Sequence, residues 1–207
     1  MKILHLGFLL LFAVSCGRFG SHFGVGGHYN AGKEQILKHR AADLDKAIAS
    51  LEAVVREDPT YRDSLTLLGR AYYGKKRYAD AMLILQRALV VDQKDEIAWL
   101  TLGLTQLRRG EDQKGLESVR GGLTLLAKAS VNGYKGYEEW DKAGKVNIAL
   151  RRAVFAAQKG LQDGTKDGLI RSVESTLASI DDEVFLQTLE KRREYRDYSD
   201  GNDDSDN

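Results

Sequence analysis

The side chains best suited to chemistry are few and lie near the start of the chain. The sequence holds one cysteine, Cys16, and four histidines, His5, His22, His28 and His39. A thiol can be acylated or act as a nucleophile, and an imidazole can act as a general base or bind a metal. No imidazole follows residue 39, and no G-x-S-x-G, H-E-x-x-H or C-x-x-C motif occurs. The sequence therefore predicts a protein that is not an enzyme and that uses no cofactor or metal.

One segment matches a phosphate-binding loop in part. Residues 27–33 fit the pattern G-x-x-x-x-G-K, but Glu34 stands where the pattern needs Ser or Thr to hold Mg²⁺. No β-strand is predicted before it, so we do not expect nucleotide binding. His22 and His28 lie in the same glycine-rich stretch without a third ligand, and we expect both to be solvated.

The first sixteen residues have the layout of a secretory signal peptide. Met1-Lys2 is a basic start, residues 3–14 form an apolar run, and small residues precede Cys16. The run is too short to span a bilayer, which needs about 20 residues. We expect residues 1–15 to be removed as a signal peptide.

The end of this segment, Ala13-Val14-Ser15-Cys16, resembles the lipobox of bacterial lipoproteins, with Ala13 where Leu is commoner. The resemblance implies that Cys16 is diacylated and that the new amine at Cys16 is then acylated. Gly17 in place of Asp implies the outer membrane, facing the periplasm; in a monoderm it would be the outer face of the plasma membrane. The alternative is an ordinary signal peptide that leaves a free Cys16. Two or three acyl chains would hold the protein at a membrane that it does not cross.

Composition excludes several partners and stabilising devices. The net charge is +1, from 31 basic and 30 acidic residues, so a nucleic-acid partner is not expected. A single cysteine cannot form an intramolecular disulfide, and the domain must depend on its apolar core. Residues 16–33, which carry the lipidated cysteine, are rich in glycine and are predicted to form a flexible tether.

From about residue 34 to 195, apolar residues recur at spacings of three and four, which predicts an all-α protein. The segments Leu65–Tyr72 and Trp99–Gln106 align at an offset of 34 residues, each carrying a Leu-Gly pair. This register resembles the tetratricopeptide repeat (TPR), a helix–turn–helix unit of that period. The resemblance implies a short α-solenoid of about 2.5–3.5 repeats. Its repeats cover residues 34–160, with the best units at 62–95 and 96–129.

Two flanking segments match the repeat register in part. Residues 43–57 are predicted to be the second helix of an earlier repeat, whose first helix would be Lys33–Arg40. Residues 131–160 are predicted to be a degenerate third unit. In the unit at 96–129, glycines at 115, 121 and 122 indicate a helix that is loose, distorted or closely packed against a neighbour.

The C-terminal part, residues 161–196, is predicted to form two capping helices for the end of the solenoid. They cover Thr165–Ile180, with Thr165 as N-cap, and Asp182–Arg196. The side chains expected to face inward are Leu169, Val173, Leu177, Ile180, Val184, Phe185 and Leu189. The acidic tail at 197–207 is predicted to be disordered and lacks the ligand spacing of a calcium loop.

Stacked helix pairs leave a concave surface lined by the first helix of each pair. The register places eight predicted partner-binding residues there: Asp63, Thr66, Arg70, Tyr73, Ile97, Leu100, Leu104 and Arg108. The strip from Ile97 to Leu104 is unusually apolar. Either a helix or extended peptide of a partner fills it, or the C-terminal helix or the 131–145 segment covers it. In that segment the aromatic residues Tyr134, Tyr137 and Trp140 are predicted either to fill the core or to dock elsewhere.

These patterns predict a membrane-anchored, periplasm-facing protein–protein adaptor for an envelope assembly. Its partners would be envelope proteins or peptides. Two alternatives remain open. The chain is an accessory regulator of a cell-wall enzyme, or it carries a small ligand or lipid in an apolar groove.

Overall fold

The structure is a computed structural model that describes residues 24–38, 42–132, 141, 144–160 and 164–202. Over these ranges the chain forms eight helices: α1 (Val25–Leu37), α2 (Leu44–Glu57), α3 (Ser64–Gly74), α4 (Tyr78–Val91), α5 (Glu96–Arg108), α6 (Asp112–Asn132), α7 (Lys145–Gly160) and α8 (Lys166–Asn202). Within the described part of the chain, none of these helices has the length and apolarity needed to cross a membrane.

The helices pack in consecutive pairs. α1 packs on α2, α3 on α4, α5 on α6 and α7 on α8, and the pairs stack through α2–α3, α4–α5 and α6–α7. One apolar cluster fills the space from α1 to α5 and a second fills the space from α5 to α8. This is a short all-α solenoid of the tetratricopeptide type, which confirms the predicted fold class.

Helix α2 shows how the sequence fixes one element. Asp43 caps its start by accepting a hydrogen bond from the Lys46 amide at 3.0 Å. Leu51 and Val54, spaced for one helical face, are fully buried. The helix ends at Glu57, just before Pro59, because proline disfavours helical backbone in the residue before it. Residues 43–57 thus form the predicted second helix.

Each of the first three pairs is held close by a glycine. A Cβ at Gly32 would lie 2.6 Å from Leu51 Cγ, one at Gly69 would lie 2.5 Å from Leu85 Cγ, and one at Gly103 would lie 2.6 Å from Val119 Cγ2. These separations leave no room for a side chain. The glycine at this position therefore sets how closely the two helices of a pair approach.

The prediction of a flexible tether over 16–33 is wrong for the residues that the structure describes. Helix α1 begins at Val25, eight residues before the predicted start at Lys33. Its Tyr29 and Ile36 are buried in the first cluster, and this burial offsets the backbone entropy of the glycines. The partial match to a phosphate-binding loop is helical as well. Cys16, the signal peptide and His22 lie outside the described residues.

The glycines of α6 belong to a close contact between helices. A Cβ at Gly115 would lie 2.6 Å from Leu107 Cγ, and one at Gly122 would lie 2.7 Å from Leu100 Cγ. Of the three predicted possibilities, the close-packed helix is the one observed. Gly121 differs, because its Cβ would meet only the Trp99 ring at 3.9 Å.

The C-terminal part differs from the prediction of two helices and a disordered tail. A single helix, α8, runs from Lys166 to Asn202, so residues 197–202 are helical. Thr165 caps it as predicted, accepting a hydrogen bond from the Gly168 amide at 3.3 Å. Phe185, expected to face inward, is 36% exposed. The first four predicted inward residues are buried: Leu169, Val173, Leu177 and Ile180.

Among the described helices, α7 forms its pair with α8 and also contacts α6. It packs on α8, with the Thr176 hydroxyl donating to the Ala149 carbonyl at 3.2 Å. The predicted unit at 131–160 stays a prediction, because most of its first segment lies outside the described residues; within them α6 continues to Asn132 and α8 supplies the surface on which α7 packs. The aromatic residues Tyr134, Tyr137 and Trp140 lie outside the described residues.

Candidate functional site: the concave face and helix α8

The first helices of the three stacked pairs share one face, and α8 lies against it. α8 contacts α1 and α5 and reaches α3 through the ion pair between Arg70 and Asp181. The C-terminal helix, one of the two segments that the sequence offered as a cover for this face, lies over it, and most of the other segment, 131–145, lies outside the described residues. The candidate site therefore lies between two surfaces of the same chain, the shared face of α1, α3 and α5 and the face of α8 that lies against it.

The first ionic contact joins Arg70 on α3 to Asp181 on α8. Arg70 Nη1 donates to Asp181 Oδ1 at 2.9 Å, and Arg70 Nη2 donates to Asp181 Oδ2. The two side chains are only 15% and 5% exposed. Burial opposes the charge on Arg70, but Asp181 outweighs it and raises the pKa of the guanidinium. A bidentate contact of this kind fixes the orientation of α8 relative to α3 as well as the distance between them.

The second contact lies about one helical turn further along α3 and about two turns back along α8. The Tyr73 hydroxyl donates to Glu174 Oε1 at 2.6 Å, and Arg108 Nη2 donates to the same oxygen at 3.1 Å. Burial raises the pKa of Tyr73, Arg108 opposes that rise, and Glu174 adds to it. Arg108 is more exposed than Arg70, with 37% of its side chain accessible. This triad is therefore the weaker of the two contacts.

Beside these contacts the two surfaces separate and leave a groove of about 960 Å³. Ile36 on α1, Leu104 on α5 and Leu177 on α8 supply its apolar wall. Ala178 and Asp182 of α8 line it as well. The groove combines apolar walls with fixed charges, which is the composition of a site that binds a polypeptide or a drug-sized ligand.

Two of the predicted partner-binding residues, Asp63 and Thr66, form hydrogen bonds between successive repeats. The Tyr29 hydroxyl of α1 donates to Asp63 Oδ1 at 2.5 Å. The Thr66 hydroxyl of α3 donates to Asp95 Oδ2 at 2.5 Å, and Asp95 also caps α5. Thr66 is 3% exposed. The prediction that Thr66 lies on the binding surface is wrong, because its hydroxyl donates to Asp95 of the next repeat.

The apolar strip on α5 is core and not an exposed surface. Leu100 and Leu104 have no exposed surface and belong to the second apolar cluster. Ile97 is partly buried against the same cluster. The prediction of Leu100 and Leu104 as an open binding strip is wrong, because α6 and α8 cover it. Leu104 lies beneath the wall of the groove and adds no exposed surface to it.

Of the eight predicted residues, Arg70, Tyr73 and Arg108 meet α8 directly. The sequence analysis missed their partners Glu174 and Asp181, which lie seven residues apart and so on one face of α8. A signal was present, because both adjoin the apolar stripe of that helix. Carboxylates at the border of an apolar stripe indicate pairing with cations on the surface it covers.

No group of three or more His, Cys, Asp or Glu side chains among the described residues is placed to hold a metal ion.

A family model described as tetratricopeptide repeat matches residues 39–106. The crystal structure of MamA is 21% identical in sequence, with a TM-score of 0.47, over 75% of this chain and 78% of that chain. No curated protein matches this chain.

Proposed function

We propose that this protein is an interaction scaffold, because it is a solenoid of tetratricopeptide type with a groove on its concave face. Tetratricopeptide repeats are characteristic of protein–protein interaction. The observation that carries the proposal is the groove between the repeats and α8. A segment of a partner polypeptide enters this groove alongside α8.

The groove has the features that peptide recognition requires. Leu177 and Ile36 offer an apolar wall for side chains, and Asp182 and Lys38 lie at its border. The Arg70–Asp181 contact holds α8 in place, so the site is formed before a partner arrives. Preorganisation of this kind reduces the ordering that binding requires.

The location belongs to the proposal as well. The lipobox-like sequence at Cys16 supports a lipoprotein held in the outer membrane, with the repeats facing the periplasm. There the scaffold positions a component of an envelope assembly. The test is membrane fractionation of the wild type and Cys16→Ser: release of the variant supports the anchor, and unchanged association contradicts it.

The binding site is tested by site-specific photocrosslinking in the native cell. A photoreactive amino acid replaces Ala178, which lines the groove, or Ala49, which is exposed on α2 outside it. We expect a discrete protein adduct from position 178 and none from 49. Adducts of equal yield from both positions, or none from 178, would contradict a partner in the groove.

A second variant asks whether the groove must be open. Ala178→Trp fills the groove, and Ala49→Trp is the matched control on an exposed surface. The first should abolish the adduct formed from a photoreactive group at Ala42, which also lines the groove, and the second should leave it unchanged. Leu104→Glu is unsuitable for this purpose, because Leu104 is fully buried.

The groove volume also favours one second candidate, a carrier of a small apolar ligand. A space of about 960 Å³ is at the upper end of the range for ligand pockets. Native mass spectrometry of the protein extracted from membranes distinguishes the two. A bound lipid that Ala178→Trp displaces, with no protein adduct at 178, supports the carrier.

A further inference from the structure

Helix α7 carries a surface stripe that the groove does not use. Five residues follow one another at spacings of three and four, which places them on one face of the helix: Lys145, Ile148, Arg152, Phe155 and Lys159. Arg151 borders this stripe. We call these six residues the α7 stripe. The opposite face of α7, with Val146, Leu150 and Ala153, is buried against α8.

The α7 stripe combines exposed apolar side chains with unbalanced positive charge. Ile148 is 52% exposed and Phe155 is 65% exposed. Helix α7 has four basic residues and no Asp or Glu. None of the four forms an ion pair with a residue that the structure describes. Large apolar side chains so exposed beside a row of cations mark an interaction surface.

A cavity lies next to the α7 stripe and is also lined by basic side chains. Arg152, Phe155 and Lys159 line one side of a space of about 560 Å³, and Arg171 and Ser172 of α8 line the other. The described residues that line it include three cations and no carboxylate. The space therefore suits an anionic group with hydrogen-bond acceptors.

We propose that the α7 stripe docks on an anionic phospholipid surface. Cations on one face of a helix bind anionic headgroups, and apolar side chains between them enter the boundary with the acyl chains. A nucleic acid would engage the cations but leave Ile148 and Phe155 in water. A lipid surface satisfies both kinds of side chain. This surface is distinct from the groove, and the inference does not depend on the scaffold function or on the acyl anchor.

The test measures co-sedimentation of the full chain, as Cys16→Ser, with vesicles. One set is pure phosphatidylcholine, and the other contains about 30% phosphatidylglycerol to supply the negative surface potential. The basic start and the apolar run at residues 1–14 are present in every variant, so the comparison between variants, and not the vesicle comparison alone, assigns the anionic preference to α7. We expect at least tenfold tighter binding to the anionic set, lost at about 0.5 M salt.

Variants locate the binding surface. Arg151→Glu/Arg152→Glu should remove at least tenfold of the anionic preference, and Phe155→Ser should remove about threefold. The matched control is Arg87→Glu/Arg120→Glu, which makes the same charge change at exposed sites on α4 and α6. The control should stay within about twofold of the parent.

The outcomes decide the proposal in either direction. Equal binding to the two vesicle sets, or an equal loss in the control variant, would overturn docking by α7. Circular dichroism checks that each variant keeps its helicity. Should the double Glu variant lose it, Lys145→Gln/Lys159→Gln takes its place and must itself lower the anionic preference.

Discussion

Gly103 and Gly115 place their carbonyl oxygens against each other's α-carbons. A Cβ built on Gly103 would lie 2.9 Å from the Gly115 oxygen, and one built on Gly115 would lie 3.0 Å from the Gly103 oxygen. The contact is reciprocal, so α5 and α6 meet backbone to backbone at this point. Neither glycine can gain a side chain unless the helices separate.

Gly115→Ala should therefore lower the free energy of unfolding by about 1–3 kcal/mol through overpacking. Gly121→Ala is the matched control on the same helix, because its Cβ has space. There the better helix propensity of alanine should raise stability by up to about 1 kcal/mol. Urea unfolding followed by circular dichroism measures both. Equal effects of the two substitutions would contradict the close approach at Gly115.

Arg70→Ala should destabilise the fold by about 3–5 kcal/mol, because it removes the bidentate guanidinium contact from the buried Asp181 carboxylate. Arg108→Ala, which breaks the exposed contact with Glu174, should have an effect below about 1 kcal/mol. The comparison uses urea unfolding of both variants at one ionic strength. In the double variant Arg70→Leu/Asp181→Leu, much of the lost stability should return, because both charges are gone. A double variant as unstable as the single would contradict this account.

Glu96 should make stability fall as pH rises. Burial raises its pKa from 4.5 to about 7, against the hydrogen bond from its own backbone, and Asp95 and Asp92 add to the rise. The folded state then holds a proton that the unfolded state has lost, so this stability is complete below the unfolded pKa and is lost as pH rises through about 7. Burial also raises the pKa of Asp95, which acts in the same direction.

Glu96→Gln should remove about 1–3 kcal/mol of this pH dependence. The measurement is a series of urea unfolding curves from pH 4.5 upward through neutrality, compared with Glu57→Gln at an exposed position on α2. The control should retain the slope of the parent. A parent whose stability is flat over this interval would contradict a raised pKa at Glu96.

Asp141 determines how α7 starts. Its carboxylate accepts hydrogen bonds from the Val146 amide at 2.9 Å and the Asn147 amide at 2.8 Å, and its own φ is 62°. Asp141→Ala loses both bonds and strains the left-handed backbone, so it should cost about 1–2 kcal/mol. Asp141→Asn keeps an acceptor and tolerates this backbone, so its effect should be smaller. Thermal unfolding separates the two, and the reverse order would reject the capping role.

The repeat register was predictable because it depends on size at fixed spacing. Gly69 and Gly103 mark two helix pairs at an offset of 34 residues, and the structure confirms both pairs. Gly32 has the same role against Leu51, but it lies 37 residues before Gly69. The longer connection between α1 and α2 moved it out of register. A search that allowed insertions between helices would have found the first pair.

The cover of the concave face was less predictable. Apolar periodicity placed Leu169 to Ile180 on an inward face, but it does not say which surface that face meets. The contact between Arg70 and Asp181 spans 111 residues of sequence, and nothing local in either segment specifies the other. The border positions of Glu174 and Asp181 on α8 indicate that they pair with a facing surface, but their pairing with Tyr73 and Arg70 came from the tertiary structure alone.

The return of α8 to the first helix pair has a consequence for how such a chain can change. Most repeat arrays lengthen or shorten by whole units, since each unit touches only its neighbours. Here the insertion of one more helix pair between α4 and α5 would move Glu174 and Asp181 away from Tyr73 and Arg70. The number of repeats and the length of α8 therefore depend on each other. Duplication or loss of a unit in this chain would require a matching change in α8.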